Sequence, residues 1–510
     1  MNYFSDNPHL DFYLRHPDRH DLSEVQEAAL ALDRLGLISA EEVAPNAAQV
    51  DAAGPSLVGG RVRYSLPTQC HLTALVQSGL YGLTIGREYG GLGMSRTMSL
   101  MATEILSRAD LSLATIWGLQ DCAEIIDAFA SPELRQRYLP LIVAGATCSM
   151  DLSEATAGSD LQSVRLAASF DVEHGCWRLN GTKHYITNGD ADIHLVLART
   201  ESGTHDGRGL SLFLYDHSEG GMTVHRLERK MGIIGSPTAG LTFKDAPAHL
   251  IGEQRLGLIK YVMALMNSAR LGVAAQAVGL CEAACREAER FAAARRQFGR
   301  PVGDFIQVRD LLNAMRARTD AARSMLYLAA RFVDRSSFSK SDSRTAALLT
   351  PLVKLAASEL ANRCAYDCVQ VHGGCGYMKG VACERLYRDA RVLSIYEGTS
   401  QMQVVAASKG ISQGSYLDYV LSLRNLISER PLGGIQRECM GLLQQGVDDY
   451  LKHFDEAASK GLSDSGFEHH LRSLAEQMAM LIMGHQLLLD SFDNPALVSS
   501  CRFIALGSLW

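Results

Sequence analysis

No uninterrupted apolar run in the 510-residue chain reaches the ~18–20 residues that a membrane-spanning helix requires, so no transmembrane segment is expected. A basic surplus is missing too: 49 Lys and Arg stand against 56 Asp and Glu, a net charge of −7. Phosphate backbones are bound by clustered cations, so this balance argues against a nucleic-acid partner. Met1 to Asp21 is polar and lacks the basic-then-apolar order of a secretory leader. The twelve cysteines include no CxxC knuckle of the kind structural zinc sites carry. Cys281 and Cys285 share one helix face, as do Cys364 and Cys368, with His372, Cys375 and Cys383 close by in sequence. They are expected to be small buried hydrophobes in a reduced setting, with no metal. Hydrophobic residues at 47 % and charged residues at 21 % fit a cytoplasmic globular enzyme of about three domains.

The pattern of apolar residues changes along the chain. Ser23 to Leu37 and Met98 to Arg108 repeat at three- and four-residue steps, so residues 1–150 are expected to be a helical domain. Ser131-Pro132 opens a further helix, expected to stop near Leu139-Pro140. Between 151 and 256 the period becomes strand-like. There Asn180-Gly181 fits a two-residue hairpin turn, and Leu195 to Ala198 and Leu210 to Tyr215 are short apolar runs. Residues 257–410 are helical and alanine-rich, with Pro301 and Pro351 expected at helix ends. In the last block, 411–510, Ser465-Gly466-Phe467-Glu468 has the capping-box form. The stripe Phe467, Leu471, Leu474, Met478, Leu481, His485, Leu488, Phe492 then suits packing on another helix, within the chain or across an oligomer seam.

Four segments could carry chemistry. Glu397 follows Ile395-Tyr396 and precedes Gly398, with Thr399 and Ser400 able to cap a helix. A carboxylate in apolar surroundings has its pKa raised toward the range of a general base; in solvent it would be an ordinary surface group. Ser153 to Asp160 collects small residues and hydroxyls in a loop, a polar-ligand cradle or a plain interdomain turn. Arg295 to Pro301 is a basic cluster at a helix end, able to meet a pyrophosphate or to answer the helix dipole. Gln370 to Tyr377 holds glycines that follow a helix rather than a strand, which excludes a Rossmann fingerprint but leaves close backbone approach to a ligand open.

In order and spacing, six motifs resemble the acyl-CoA dehydrogenase family over residues 80 to 410. They are Glu88-Tyr89-Gly90-Gly91, Glu154 to Asp160, Asn180 to Lys183 with Ile186 to Gly189, Arg295 to Gly299, Gln370 to Gly376, and Tyr396-Glu397-Gly398-Thr399. The resemblance implies an α+β multidomain fold: N-terminal helical domain, middle β-barrel domain, C-terminal four-helix bundle, and here a C-terminal helical extension. It implies FAD as cofactor, an acyl-CoA substrate as in fatty-acid β-oxidation, and an electron-transfer flavoprotein as acceptor. Glu397 matches the base that removes the α-proton, while the β-hydrogen leaves as hydride to flavin N5.

By the same resemblance Met150, Leu152, Ser153, Tyr185 and Thr187 line the flavin ring. Arg295, Gln297 and Phe298 match a segment reaching the FAD of a neighbouring subunit, and Gln370, Gly374, Thr399 and Gln401 match further cofactor contacts. Ser159, Asn267 and Arg270 match positions near the CoA thioester. Ala269 stands where some branches place the base, leaving Glu397 as its candidate. Ala155 replaces the usual proline, Tyr185 a common tryptophan, and Ile306 a common glutamine. The extension resembles that of larger members and implies a homodimer, with a tetramer as the other arrangement. An oxidase passing electrons to O₂, or a catalytically silent binding relative, are the alternative functions.

Overall fold

The computed structural model describes residues 1–15, 22–459 and 465–507, and the chain divides into two compact units, Met1–Ala269 and Arg270–Trp510. Among the described residues no helix is long and apolar enough to cross a membrane.

The first unit begins with helices α1 (Pro8–Leu14), α2 (Leu22–Ile38) and α3 (Ala44–Ala53). A short hairpin, β1 (Ser56–Val58) and β2 (Arg61–Arg63), then interrupts the expected run of helix. Gly59 and Gly60, at φ 61° and 80°, make its two-residue turn, a conformation glycine adopts without steric cost. Helices α4 (Leu66–Gln77), α5 (Arg96–Ala109), α6 (Leu111–Trp117), α7 (Cys122–Phe129) and α8 (Pro132–Val143) follow. Ser131 caps α8 as expected, its Oγ accepting from the Leu134 N–H at 3.4 Å. The helix does not stop at Pro140 but runs one turn further to Val143. Proline costs a helix one hydrogen bond, and here burial of Tyr138, Leu139 and Ile142 in the apolar core outweighs that loss.

The strands are β3 (Cys148–Asp151), β4 (Ala167–Asp171), β5 (Cys176–Thr187), β6 (Ile193–Arg199), β7 (Leu210–Asp216), β8 (Met222–Leu227) and β9 (Thr238–Ile251). Pairings β6–β4–β5–β9–β7 return to β6, so five strands close on themselves, with β3 added on β6 and β8 on β9. Closure removes exposed sheet edges, and the enclosed core holds Leu179, Val196, Phe213, Tyr215, Leu241 and Phe243.

Asn180-Gly181 is not a hairpin turn: both residues lie inside β5, at a register shift against β9 between Leu179 and Gly181. Gly181 has φ 143°, and a Cβ there would come within 3.0 Å of Leu166 Cα. Asn180 Nδ2 donates to Asp245 Oδ1 at 3.0 Å, and its Oδ1 accepts from the Asp245 N–H at 2.9 Å. Glycine therefore serves a bulge and a close backbone approach. Gly181→Ala should destabilise the first unit by about 1–3 kcal/mol, read as a lower denaturant midpoint. An unchanged midpoint would mean that the chain at Leu166 yields to the extra methyl group at no cost.

Helix α9 (Met263–Ala294) leads into the second unit, where a small hairpin, β10 (Arg296–Gln297) and β11 (Arg300–Pro301), precedes α10 (Ile306–Arg335) and α11 (Lys340–His372). Pro351 lies inside α11, not at an end. The neighbouring Leu348 carbonyl accepts from Tyr416 Oη at 2.6 Å, and both flanks of the proline are buried. Then come α12 (Ala382–Leu393), α13 (Ser400–Ser412), α14 (Ser415–Ser428), α15 (Gly434–Ala458), α16 (Ser465–Asp493) and α17 (Val498–Ala505). In the α16 stripe Phe467 to Leu488 is buried and Phe492 half-buried. The helix packs on α10, α13, α14, α15 and α17 of its own chain. The Ser465 side chain, on which the capping-box reading depends, lies outside the described residues. Cys281, Cys285, Cys364, Cys368 and Cys383 are buried core residues, whereas Cys375, contrary to expectation, is exposed.

Candidate active site

Glu397 sits in a turn between α12 and α13 with φ 53°, followed by Gly398 at φ 86°. A left-handed glutamate costs about 1–2 kcal/mol, and such strain persists only where surrounding structure over-determines it. The surroundings are specific. Thr399 caps α13, its Oγ1 accepting from the Met402 N–H at 3.3 Å. Gly398 O accepts from Lys354 Nζ at 2.8 Å and from Gln403 Nε2 at 2.8 Å. Tyr396 Oη donates to Gln276 Oε1 on α9. These ties leave the Glu397 N–H with no protein acceptor among the described residues.

The Glu397 side chain is half-buried. Burial pushes its pKa above the usual carboxylate range, while the Lys354 ammonium and Arg270 guanidinium partly offset the rise. Lys354 is fully buried, and burial pulls its pKa down to about 8 against the opposing pull of Glu397 and Glu359. The second unit thus presents a carboxylate of raised basicity, a free backbone donor beside it and two cations facing it. That set is suited to taking a proton next to a carbonyl.

A second group of expected residues gathers on the first unit. Lys183 Nζ donates to Leu152 O at 2.9 Å and to Glu154 Oε1 at 3.1 Å, and the His184 N–H donates to Ser153 O at 3.0 Å. These bonds hold the 152–154 loop along β5. Between Lys183 and Ile186 the β5–β9 register slips, with Tyr185 at φ 61° and its ring 62 % exposed. A bulge re-aims a side chain, and an exposed aromatic held by strained backbone is a ready face for a flat ligand. Ser153, bonded to His184, and Thr187, two residues along β5, are half-buried; Met150, opposite Leu195 of β6, is half-buried too, whereas the Leu152 side chain is buried in the core. Ser159 and Asn267 are exposed.

The remaining expected residues lie on the second unit. Arg295, Gln297 and Phe298 are exposed around the β10–β11 hairpin, whose turn has Phe298 at φ 50° and Gly299 at φ 82°. Phe298 is 93 % exposed, an arrangement that burial within the chain does not account for. Gln370 is exposed near the end of α11 and Gln401 at the start of α13. Gly374 is exposed, and a Cβ there would meet nothing within 4 Å. Neither chain packing nor a positive φ demands glycine at 374. On the first unit, the exposed Tyr185 ring and the polar 152–154 loop are of a kind that fits the flat, polar flavin of FAD.

Sequence reading missed Lys354, Gln276, Gln403 and Glu359. Lys354 had one signal: a lysine inside the apolar run Leu352 to Ala357 must be buried with a partner. It also missed a fully buried cluster on the first unit. His194 Nδ1 lies 2.7 Å from Ser149 Oγ and 2.9 Å from Asp151 Oδ2, and Nε2 meets Ala191 O at 2.9 Å. Serine and aspartate both converge on one ring nitrogen, so this is a strand anchor joining β3 to β6 rather than a nucleophilic triad. Among the described residues no group of three or more His, Cys, Asp or Glu is placed to hold a metal.

The chain thus combines a helical part, a closed β part and a second helical part that carries the strained Glu397 turn. Models of the acyl-CoA dehydrogenase N-terminal, middle and C-terminal domains match residues 26–146, 149–246 and 259–411. The 3-methylmercaptopropionyl-CoA dehydrogenase of Ruegeria pomeroyi is 34 % identical over 414 residues, covering 74 % of this chain and 70 % of that protein. The structure of Caenorhabditis elegans ACDH-11 in complex with C11-CoA covers 99 % of this chain and 91 % of its own, with a TM-score of 0.86 at 21 % identity. An acyl-CoA dehydrogenase from Bacillus anthracis complexed with FAD covers 97 % of this chain and 88 % of its own, with a TM-score of 0.80 at 23 % identity. At those identities the two structures speak for the fold, extension included. The chain belongs to the acyl-CoA dehydrogenase family.

Proposed function

We propose that the protein, with FAD as its cofactor, catalyses α,β-dehydrogenation of an acyl-CoA thioester to the trans-2-enoyl-CoA. The observation that carries this reading is Glu397 on its strained turn, with raised basicity and an uncommitted N–H. The Glu397 carboxylate takes the α-proton. Its own N–H donates to the thioester carbonyl, which gains charge as the proton leaves. Arg270 and Lys354 favour the ionised carboxylate and partly offset the effect of burial. When bound, FAD supplies at N5 the acceptor for the β-hydrogen as hydride. Met150, Ser153, Tyr185 and Thr187 line that ring, and Ser159 and Asn267 meet the thioester side. Arg295, Gln297 and Phe298 reach the cofactor of a second copy in a homodimer, with Gln370, Gly374 and Gln401 as further contacts. Electrons then pass to an electron-transfer flavoprotein.

Anaerobic titration of the purified flavoprotein with saturated acyl-CoA thioesters tests the reaction. Bleaching of the oxidised-flavin band by one class supports it and names the acyl group; no bleaching by any class refutes it. Rapid reoxidation by air alone would assign the oxidase chemistry instead. The pH dependence follows from the electrostatics. Glu397 must be ionised to act, and burial raises its pKa, so the rate of flavin reduction should fall on the acid side through a pKa above the ~4.3 of an exposed glutamate. A rate that stays flat down to about pH 4.3 would contradict that environment.

A further inference from the structure

Residues 411–510 carry none of the motifs used above, yet one of their side chains reaches the support of the base turn. α16 packs on α11 and α13. From it Arg472 places Nη2 3.4 Å from Glu359 Oε1 on α11, while its Nε binds Glu476 one turn along. The same Glu359 oxygen accepts from Ser400 Oγ at 2.5 Å. Ser400 is buried, opens α13, and donates its N–H to Ser394 O at 3.1 Å. That bond closes the segment 394–400 with Glu397 at its centre. Glu359 also favours the ammonium form of Lys354, whose Nζ holds Gly398 O. Glu359 therefore bears on the turn through Ser400 directly and through the charge of Lys354.

We infer that Arg472 of the C-terminal extension is a positioning residue for the base: by fixing Glu359 it fixes Ser400, and with it the turn that presents Glu397. This rests on the dehydrogenase reading above. Glu359 is about one quarter exposed (25 %) and Arg472 37 %, so the pair adds little to global stability. Its effect is local. A carboxylate shared between a guanidinium and a hydroxyl is held in one orientation; without the guanidinium it turns toward water and releases Ser400.

The test is amide hydrogen exchange on the full-length, FAD-loaded wild type and the variants Arg472→Met, Arg472→Lys and Glu359→Gln. Arg472→Met and Glu359→Gln should speed exchange across residues 395–403 about five- to ten-fold and leave α5 and α10 unchanged, with Arg472→Lys closer to wild type. At saturating acyl-CoA both should slow flavin reduction several-fold, with little change in half-saturation. The double variant should be no slower than Glu359→Gln alone, because both act through one carboxylate. Unchanged exchange at 395–403 in Arg472→Met overturns the inference, as does acceleration confined to α14–α17. A wild-type flavin that no acyl thioester reduces refutes the dehydrogenase reading, while the exchange comparison still decides the Arg472 tie in either direction.

Discussion

Glu397→Gln will retain bound FAD and acyl-CoA and lose at least about a thousand-fold in the rate of flavin reduction, the upper part of the range for removing a general base. Glutamine keeps the size of the side chain and the backbone N–H, so it conserves the turn at φ 53° and the donor to the thioester carbonyl. It removes only the ability to take a proton. The cations Arg270 and Lys354, which favour the ionised carboxylate, would face a neutral amide. Lys354 then loses one of the two carboxylates that support its ammonium form and becomes easier to deprotonate. Glu397→Asp is the matching control. Aspartate tolerates left-handed backbone at least as well as glutamate, but its carboxylate is one methylene short, so a partial rate is expected. Stopped-flow absorbance under anaerobic conditions reads both variants. A Glu397→Gln protein that reduces its flavin near the wild-type rate would remove Glu397 from the reaction.

What was legible in the sequence was local. Glu397, Gly398 and Thr399 are adjacent, and a cap after a glycine beside a carboxylate can be read without a fold. The helices around Ser23 to Leu37 and Met98 to Arg108, and the strands around Leu195 and Leu210, carry their period on their face. Where local preference conflicted with burial, burial prevailed. Pro140 and Pro351 stand inside helices because the residues around them are core, and Asn180-Gly181 stands inside a strand because Leu166 leaves no space for a side chain. The supports of the base were not legible. Lys354, Glu359 and Arg472 lie 43, 38 and 75 residues from Glu397 in sequence, and only the packing of α11 and α16 makes them neighbours of its turn.

Glu282→Ala should unfold the second unit at a temperature lower by roughly 6–20 °C, the equivalent of about 3–5 kcal/mol in a unit of this size. Glu282 on α9 is 1 % exposed and accepts from Arg286 Nε at 2.7 Å, Arg316 Nη1 at 2.8 Å and Arg323 Nη2 at 2.9 Å. Burial alone would raise its pKa; Arg323, Arg316 and Arg286 together hold it well below the usual range. Removing the carboxylate takes from the wholly buried Arg323 its partner at 2.9 Å, while Asp320 stays at 3.5 Å. The cost is that of leaving a buried guanidinium with less counter-charge rather than of losing a single contact. The pH dependence has a definite sign. The folded pKa lies below the unfolded value of ~4.3, so the stabilisation is complete above pH ~4.3 and fades as acid titrates the folded carboxylate. The wild-type advantage over Glu282→Ala should therefore be constant near neutrality and shrink in acid. Melting followed by flavin release at pH 7 and in mild acid measures it; equal melting temperatures at pH 7 would show that the arginines find other partners. The consequence for chemistry comes through α9, which carries Arg270 and the Gln276 that binds Tyr396. On α10 the same helix layer continues to the extension, where Ser500 Oγ meets Asp320 at 2.7 Å and Ser324 Oγ meets Asp490 at 2.6 Å. Loosening Glu282 therefore frees both helices that flank the base turn and its support, and the loss of activity on warming should precede global unfolding in the variant.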